Sequence, residues 1–280
     1  MPELPEVETV VRLIRPRLVG REIRHARVRW ERTLGGLSPA RFGRAVSGSA
    51  AAAVWRRGKY IVVDLERAGW PAGCLEGHLR MTGRMVVERS GEPPGPYARV
   101  SLELDGGRTF HFVDVRKFGR LVYAERPEEV FAPLGPEPLG EEFTGGWLHA
   151  ALRTRRRLLK PLLLDQSFVA GLGNIYVDEA LHAARLHPLR RSERTSRPAA
   201  ARLCDAIRGT LAEAIRREGS SFDAFYRTPE GRPGSYQHQF QVYGRDGKPC
   251  RTCGRPVERI VVGQRGTHLC TRCQPAPRGR

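Results

Sequence analysis

The 280-residue sequence predicts an α+β protein with an N-terminal helix, an antiparallel β-sandwich domain and a C-terminal helical domain. Apolar residues recur at helical spacing near the N-terminus, short β-branched runs fill residues 21–125, and helical periodicity returns after residue 145. A run of strands followed by a run of helices is typical of the α+β class, in which the two kinds of element occupy separate regions.

One amphipathic helix is predicted ahead of the β-rich region, from Glu6 to Leu18, with its end before Gly20. The strands that follow are predicted from branched and aromatic residues bounded by turn residues. They are Ile61–Leu65, Leu79–Met81, Met85–Val87, Val100–Leu104, Phe110–Val113 and Leu121–Tyr123. The frequent turn signals favour a sandwich or a barrel, and the strand order stays open.

A stretch rich in proline and glycine, residues 132–140, suits neither a helix nor a strand and predicts a domain boundary. Helical periodicity then runs over 147–164, breaks at 171–173 and resumes over 174–186, which predicts a helix-turn-helix. A longer helix, with Leu203 to Ile215 on its apolar face, is expected to end at Gly219 and to pack against a core.

The charge of the chain points to a polyanionic partner. Its 48 Lys and Arg against 30 Asp and Glu give a formal net charge of +18. Nucleic acid and an anionic membrane surface both fit this surplus, but no apolar stretch approaches the ~18 residues of a spanning helix, so we expect no membrane partner. The N-terminus lacks the features of a secretory signal, and we therefore expect a reducing, cytoplasmic compartment. Cys74 and Cys204 lie in apolar surroundings and are expected to be small buried side chains.

Two cysteine pairs near the C-terminus predict a metal site. Cys250 and Cys253 are separated by two residues, as are Cys270 and Cys273, with sixteen residues between the pairs. This spacing favours one tetrahedral zinc ion, and four thiolates leave no open position for water, so the zinc is expected to be structural. Two disulfides are the alternative, which conflicts with a reducing compartment. His268 is a possible substitute ligand, although the spacing favours the cysteines.

The region around these cysteines is basic. Residues Arg245–Arg280 hold nine Lys and Arg against two acids, a net charge of +7. A turn at Gln264–Thr267 would project Arg265 toward a phosphate, and a solvated arginine in a turn fits the local sequence equally well.

The N-terminus carries a second candidate site. Removal of Met1 would expose the secondary amine of Pro2 beside the carboxylates of Glu3 and Glu6. An α-amino group titrates near pH ~8, so part of it is unprotonated and nucleophilic at neutral pH. A terminal proline can form an iminium with a sugar aldehyde. The alternative is an ordinary helix start, with Pro5 in the first turn and the acids opposite the positive end of the helix dipole.

Together these features resemble one family, the formamidopyrimidine-DNA glycosylases. The matching segments cover essentially the whole chain and occur in order. They are Pro2–Thr9, Arg57–Tyr60, His78–Gly83, Asp114–Gly119, Leu134–Leu139, Lys160–Pro161, Gly171–Glu179, Gln241–Arg245 and the finger. The resemblance implies removal of oxidised purines such as 8-oxoguanine and formamidopyrimidines from duplex DNA. It also implies cleavage of the abasic site by β,δ-elimination, with one structural zinc as the only cofactor.

The resemblance also implies a domain layout in which the helical region is a helix-two-turn-helix DNA-binding domain. The expected ranges are 1–131 for the catalytic β-sandwich domain, 132–144 for a linker, 145–228 for the helix-two-turn-helix domain, 229–244 for a lesion-covering loop and connection, and 245–280 for the zinc finger. The chain is expected to act as a monomer in a bacterial-type cytoplasm, associated with the nucleoid through DNA.

Catalytic roles follow from the resemblance position by position. Pro2 is the expected nucleophile, Glu3 the proton donor to the sugar ring oxygen, and Glu6 the carboxylate that orients the amino terminus. Lys59 is expected to hold the lesion or its phosphate, although an exposed strand lysine is the simpler interpretation of that residue alone. Arg265 completes the expected catalytic set.

The resemblance assigns further residues to DNA. Those expected to contact it are His78, Arg99, Arg116, Lys117, Lys160, Asn174 and Tyr243. Asn174 and Arg265 would grip phosphates beside the flipped nucleotide, and Lys160 would lie near the damaged base or on a basic helix, Arg153–Lys160, that faces phosphates.

A three-residue probe would fill the space left by the extruded base. Phe118 would wedge between bases, Met81 would occupy the void and Arg116 would pair with the widowed cytosine. For Met81 and Phe118, ordinary core packing is the alternative.

The chain departs from the family pattern at three positions. Val115 replaces the usual proline, Lys117 replaces the second arginine, and Arg99 stands where relatives often carry histidine, so its phosphate contact is the least secure. Two other functions remain open: a sister glycosylase for oxidised pyrimidines, which shares the fold and nucleophile, and a noncatalytic zinc-finger DNA-binding protein.

Overall fold

A computed structural model describes residues 1–91, 95–222 and 226–277. The chain forms two compact units, one of Met1–Ala132 with Glu218–Ser235 and the other of Pro133–Arg217 with Tyr236–Arg280. The predicted domain ranges stay predictions, and the parts of them at 92–94, 223–225 and 278–280 lie outside the described residues.

The first unit begins with helix α1, Leu4–Leu18, whose buried face carries Val7, Val10, Val11 and Ile14 at the predicted spacing. The helix starts two residues earlier than the apolar pattern indicated because Glu3 and Glu6 form a capping box around its first turn. The predicted helix is confirmed.

Eight strands of the described residues form a single antiparallel sheet in the order β5-β7-β6-β1-β2-β3-β4-β8. Their bounds are β1 Glu22–Val28, β2 Ser49–Arg57, β3 Tyr60–Arg67, β4 Trp70–His78, β5 Gly83–Arg89, β6 Ala98–Leu104, β7 Arg108–Asp114 and β8 Arg120–Ala124. Two short helices belong to the same unit, α2 Pro39–Val46 and α3 Pro127–Phe131.

The sheet folds over so that its two halves share one core. Met85 of β5 packs on β4 so closely that a Cβ at Gly77 would lie 1.8 Å from the Met85 methyl carbon. Ile61 and Leu75 from one half and Phe110 and Phe112 from the other belong to the same buried cluster as the apolar face of α1. The predicted α+β class with an antiparallel sandwich is confirmed, and hydrogen bonding continues from one layer into the other.

One predicted strand is wrong and several elements were missed. Residues 79–82 form the tight connection between β4 and β5, where Arg80 has φ +52° and the Gly83 amide donates to the Leu79 carbonyl at 2.8 Å. A strand cannot continue through this reversal. Strands β1, β2 and β4 and helices α2 and α3 were not predicted, since each buries few large apolar side chains.

The second unit contains helices α4 Gly145–Arg153, α5 Leu159–Leu163, α6 Asn174–Ala183 and α7 Arg197–Arg216. The helix predicted over 147–164 is therefore two helices, and the expected basic helix Arg153–Lys160 is wrong. The chain leaves helical geometry after Arg153 because the Arg155 carbonyl accepts a hydrogen bond from Ser192 Oγ at 2.6 Å and Leu158 bridges to Arg191. The helix-turn-helix and the long helix are confirmed.

A two-stranded hairpin ends the second unit, with β9 Glu258–Val262 paired to β10 Arg265–Leu269. Its two turn residues, Gly263 and Gln264, both have positive φ, at +56° and +63°. Such a turn matches the right-handed twist of the strands it joins. Within the described residues, none of the helices combines the length and apolar character that a membrane crossing requires.

Candidate catalytic residues and nucleic-acid interface

The N-terminal carboxylates are buried and organise the start of the chain. Glu3 is 4% and Glu6 2% exposed. The Glu6 carboxylate accepts the backbone N–H of Glu3 at 2.8 Å and that of Ser220 at 2.7 Å. Gly219 has φ +77°, and a Cβ there would lie 2.7 Å from Glu6 Oε1, so this approach requires glycine. Glu6 thus fixes the backbone directly after Pro2.

Lys59 lies in the turn between β2 and β3 and not on a strand. Gly58, with φ +56°, begins this two-residue turn, and Arg57 pairs with Tyr60 on its other side. The Lys59 residue is only 7% exposed, so the simpler interpretation of an exposed strand lysine is wrong.

His78, which pairs with Tyr60 across β3 and β4, is held as a neutral imidazole. Burial, followed by the charges of Arg80 and Lys59, lowers the pKa of His78 to about 3. The Arg80 amide donates to His78 Nδ1 at 3.0 Å. A neutral ring that accepts at Nδ1 carries its proton on Nε2, which makes that nitrogen a hydrogen-bond donor at neutral pH.

A buried aspartate shapes the loop of residues 114–119, called here the probe loop. Asp114 is 1% exposed and accepts from Thr82 Oγ1, from the Arg116 amide at 3.2 Å and from the Gly119 amide at 2.7 Å. A Cβ at Gly119 would lie 2.6 Å from the Phe112 ring, so glycine is needed where the loop closes. The aspartate therefore holds both ends of the loop.

The predicted probe residues are brought together on the surface of the first unit. Phe118 is 52% exposed, which rules out core packing as its role, and Met81 is half-buried. The Arg116 guanidinium carbon lies 4.8 Å from the centre of the Phe118 ring. Met81 and Phe118 line one open cavity of about 400 Å³, together with Met1 and Lys117.

Two cations predicted to contact DNA support the probe loop in this structure. Arg99 is 9% exposed and donates to the carbonyls of Asp114 at 2.7 Å and Val115 at 3.4 Å. Lys117 adopts φ +61°, and its ammonium lies 4.0 Å from the centre of the Trp30 ring. Arg99 thus lies against the loop backbone, while the Lys117 residue is exposed.

In the second unit, Asn174 begins α6 and lies beside the zinc-finger hairpin. Its Nδ2 donates to the Gly266 carbonyl at 3.0 Å and lies 3.5 Å from the Tyr243 hydroxyl. Arg265, the residue before Gly266, is exposed. The buried Glu179 carboxylate of α6 accepts the amides of residues 241–243, at 2.8 to 3.0 Å, which fixes the backbone of Tyr243.

Lys160 lies in the interior of the second unit. Its ammonium donates to Asp178 Oδ1 at 2.6 Å and to the Gly266 carbonyl at 3.0 Å, and both charged side chains are 0% exposed. The residue is therefore not on the phosphate-facing surface that the sequence predicted.

The four predicted metal ligands meet at one point, with their sulfurs within 4.8 Å of one another. Two of the Sγ–Sγ distances are 3.4 Å, for Cys253 to Cys270, and 3.9 Å, for Cys250 to Cys273. Sulfurs ~2.3 Å from a tetrahedral zinc lie about 3.8 Å apart, whereas a disulfide needs about 2.05 Å. The backbone N–H of Arg255 also lowers the pKa of the Cys253 thiol to about 7. The residues fit one structural zinc, which would fix the hairpin and supply no open coordination position.

The other two cysteines are buried, as expected. Burial, followed by the nearby charge of Glu76, raises the pKa of the Cys74 thiol to about 12, and burial also raises the pKa of Cys204. Neither forms an appreciable thiolate at neutral pH, so neither is a nucleophile.

Several supporting residues escaped the sequence analysis. Asp114 stood inside a matching segment without an assigned role, and Ser220 and Asp178 act through partners far away in sequence. His182 on α6 lies 3.6 Å from Cys250 Sγ through its Nε2 and joins the finger to the helix. The matching segments that contain Asp114 and Asp178 offered a signal that could have been used, whereas Ser220 and His182 lie in no such segment.

Comparison with known proteins decides the family. The sequence pattern described as "Formamidopyrimidine-DNA glycosylase N-terminal domain" matches residues 1–121, and that described as "Formamidopyrimidine-DNA glycosylase H2TH domain" matches residues 134–225. The chain belongs to the formamidopyrimidine-DNA glycosylase family. The pattern "Zinc finger found in FPG and IleRS" matches residues 247–276, which include the four clustered cysteines of this glycosylase-family chain.

Individual members of the family match over nearly their whole length. A formamidopyrimidine-DNA glycosylase of Thermus thermophilus is 44% identical over 283 residues, covering 98% of this chain and 98% of that protein. One from Syntrophotalea carbinolica is 40% identical over 282 residues, covering 98% of this chain and 100% of the relative.

Solved structures of the family share the fold. The crystal structure of the MutM (Fpg) protein from Thermus thermophilus matches with a TM-score of 0.86 at 42% identity, over 99% of this chain and 100% of that one. A complex of Lactococcus lactis Fpg with DNA containing N7-benzyl-Fapy-dG matches with a TM-score of 0.88 at 33% identity, over 98% and 100% of the two chains.

Proposed function

We propose that this protein is a base-excision repair enzyme that excises oxidised purines, 8-oxoguanine and formamidopyrimidines, from duplex DNA and cleaves the resulting abasic site. The observation that carries the proposal is the buried N-terminal arrangement, in which Glu6 holds the backbone of Glu3 beside Pro2. A capping box accounts for the hydrogen bonds between Glu3 and Glu6, but not for the further contact of Glu6, which accepts the Ser220 amide at 2.7 Å. Family membership adds the substrate class, since relatives are named for formamidopyrimidine-DNA.

In the proposed reaction the Pro2 nitrogen, freed by removal of Met1, attacks the sugar C1′. The sugar ring opens as Glu3 protonates its oxygen, the base leaves, and the nitrogen and C1′ form an iminium. Loss of the acidified C2′ proton breaks the bond to the 3′ phosphate, and a second elimination breaks the bond to the 5′ phosphate. Water then hydrolyses the iminium, which releases the sugar fragment as an aldehyde and frees the Pro2 nitrogen, and a one-nucleotide gap remains in the strand.

The remaining predicted residues would hold the DNA while this happens. The Lys59 ammonium would bind the lesion or its phosphate. The protonated Nε2 of neutral His78 would donate a hydrogen bond to a phosphate oxygen. In the second unit Asn174 and Arg265, called here the phosphate grip, would bind phosphates beside the extruded nucleotide, with Tyr243 close by. The phosphate lost in the second elimination would leave from beside Arg265.

The probe would keep the duplex open once the nucleotide is extruded. Phe118 would insert between base pairs, Met81 would fill the void and Arg116 would pair with the cytosine, with Lys117 beside the backbone. Arg99 would act by holding the carbonyls at the base of the probe loop. We propose that the predicted domain layout follows this division of labour, and that the chain works as a monomer in the cytoplasm, associated with the nucleoid through DNA.

The direct test of the proposed function measures strand cleavage of two lesion duplexes by protein whose Met1 has been removed. We expect the 8-oxoguanine duplex to be cut faster than the thymine-glycol duplex, and an undamaged duplex to stay intact. Faster cleavage of the thymine-glycol duplex would establish the sister specificity for oxidised pyrimidines. Tight binding of lesion DNA without any cleavage would establish a noncatalytic DNA-binding protein.

A further inference from the structure

We propose that Lys160 is a positioning residue for the phosphate grip and does not itself contact DNA. The proposal rests on the proposed function, which assigns Asn174 and Arg265 to phosphates. It replaces the DNA contact that the family resemblance implied for Lys160 with a specific internal role.

The charge of Lys160 lies inside the second unit. Lys160 is fully buried, and its ammonium is 2.6 Å from the equally buried Asp178 Oδ1. Removing either partner would leave the other as an uncompensated buried charge, which is strongly unfavourable, so the pair stays formed when DNA binds. A lysine held in this way supplies no free cation to a phosphate.

Lys160 and the phosphate grip share one carbonyl acceptor. Gly266 O accepts from Lys160 Nζ and from Asn174 Nδ2, both at 3.0 Å. A carbonyl oxygen has two lone pairs, so these two donors satisfy it completely. Gly266 follows Arg265 directly in the chain. The Gly266 carbonyl oxygen therefore fixes both the Asn174 side-chain amide and the backbone that carries Arg265.

The zinc-finger hairpin is held on both sides of Arg265. Asp178 Oδ2 accepts the His268 amide at 2.8 Å, two residues beyond Gly266. On the other side, the turn residue Gly263 packs on Pro161 so closely that a Cβ there would lie 2.9 Å from Pro161 Cγ. Neighbouring residues of α5 therefore hold the hairpin on either side of Arg265, and α6 holds it through Asp178. The geometry sets one position of the Arg265 backbone relative to Asn174.

The test separates a phosphate contact from positioning by salt dependence. Binding to a duplex with a tetrahydrofuran abasic analogue is measured over a range of KCl for wild type, Arg265→Gln and the double variant Lys160→Met/Arg265→Gln. Each phosphate cation lost reduces the slope of log K against log [salt] by about 0.9. We expect Arg265→Gln to show this reduction and the double variant to have the same slope as Arg265→Gln, because Lys160 acts through Arg265. A further reduction of about 0.9 in the double variant would identify Lys160 as a phosphate contact and overturn the proposal.

A second readout follows the chemistry. Single-turnover cleavage of an abasic duplex is resolved into the product of the first elimination alone and the product of both. We expect Lys160→Met to shift products toward the first elimination, as a displaced Arg265 should, while Asp178→Asn, whose amide oxygen still accepts one hydrogen bond, shifts them less. Wild-type affinity and product ratio in a folded Lys160→Met would also overturn the proposal.

Controls keep folding and function separate from positioning. Lys248→Met removes one exposed positive charge from the same unit without touching the Asp178 network, and we expect its product ratio to be that of wild type. If Lys160→Met does not fold, the double variant Lys160→Met/Asp178→Asn, which leaves no unpaired buried charge, replaces it at matched zinc content and melting temperature. Failure of the wild-type protein to cleave would contradict the proposed function, whereas the salt slopes test Lys160 alone.

Discussion

Burial decides which side chains of β4 carry charge. His78 and Glu76 lie two residues apart on this strand at 8% and 4% exposure, and burial is the main cause of both pKa shifts. It lowers the pKa of His78 to about 3 and raises that of Glu76 to about 7. His78 is thus neutral at neutral pH and cannot account for a titration of activity between pH 5 and 8, whereas Glu76 titrates within that range.

The raised pKa of Glu76 predicts that the stability of the protein depends on pH. Its folded pKa lies above the ordinary value of 4.5, so the stability that its proton contributes is complete below that pH and is lost as pH rises through about 7. We expect Glu76→Gln, which does not titrate, to gain about 1 to 3 kcal/mol in unfolding free energy relative to wild type between pH 5 and 8.5. Denaturant unfolding at both pH values measures this gain.

The matched control for Glu76 is Glu66→Gln, an exposed glutamate on the neighbouring strand β3. The difference in unfolding free energy between Glu66→Gln and wild type should not change between the two pH values. The contribution of His78 is the same in all three proteins. If the difference in unfolding free energy between Glu76→Gln and wild type also did not change with pH, the raised pKa of Glu76 would be contradicted.

Phe118 is expected to act on DNA and not on folding. Because its side chain is half-exposed, Phe118→Ala should change the unfolding free energy by less than about 0.5 kcal/mol. Loss of stacking should weaken binding to a lesion duplex by about 1 to 3 kcal/mol, as measured by titration. Trp70→Ala is the control, since Trp70 is 75% exposed on β4 and has no proposed DNA role. If Phe118→Ala and Trp70→Ala weakened binding to the lesion duplex equally, the assignment of Phe118 to the probe would be contradicted.

Among the structural elements, sequence patterns predicted those whose formation depends on residues close together in the chain. The part of α1 from Glu6 to Leu18 and the cysteine pairs follow from spacing alone. The end of α4 does not, because it depends on a hydrogen bond from Ser192, 37 residues away from Arg155. The burial of Lys160 likewise depends on Gly266, 106 residues along the chain, and no local pattern carries that information.

The zinc-finger hairpin is expected to depend on its metal. Its small buried cluster consists largely of the zinc ligands, with Val242 and Val257, so little apolar packing remains without the ion. Cys253→Ser should lower the zinc content below one per chain and weaken lesion binding at least tenfold. Metal analysis and titration with an abasic-analogue duplex measure both effects.

Cys204→Ala is the matched control for this metal test, because Cys204 is buried outside the cluster. We expect it to retain one zinc per chain and wild-type affinity. If Cys253→Ser also kept a full zinc ion and full affinity, the four-thiolate site would be refuted.

At the scale of the whole molecule, the class of fold and the family could be predicted because motifs spread over the chain occur in order. The sheet order could not, since β1 pairs with β6 and joins strands far apart in sequence. Ser220 also packs within the first unit, where its amide reaches Glu6, although it follows the long helix α7 of the second unit. Contacts between residues far apart in the chain leave no periodic pattern in the sequence.

In the proposed mechanism the nitrogen of Pro2 becomes covalently bound to the sugar. Borohydride reduction during reaction with an 8-oxoguanine duplex captures this bond, and peptide mapping locates it. We expect one DNA adduct per chain on the N-terminal peptide, at Pro2, in protein that has lost Met1, and no adduct in protein that retains it. An adduct on Lys59 or another lysine, or undiminished cleavage by protein with a blocked N-terminus, would contradict it.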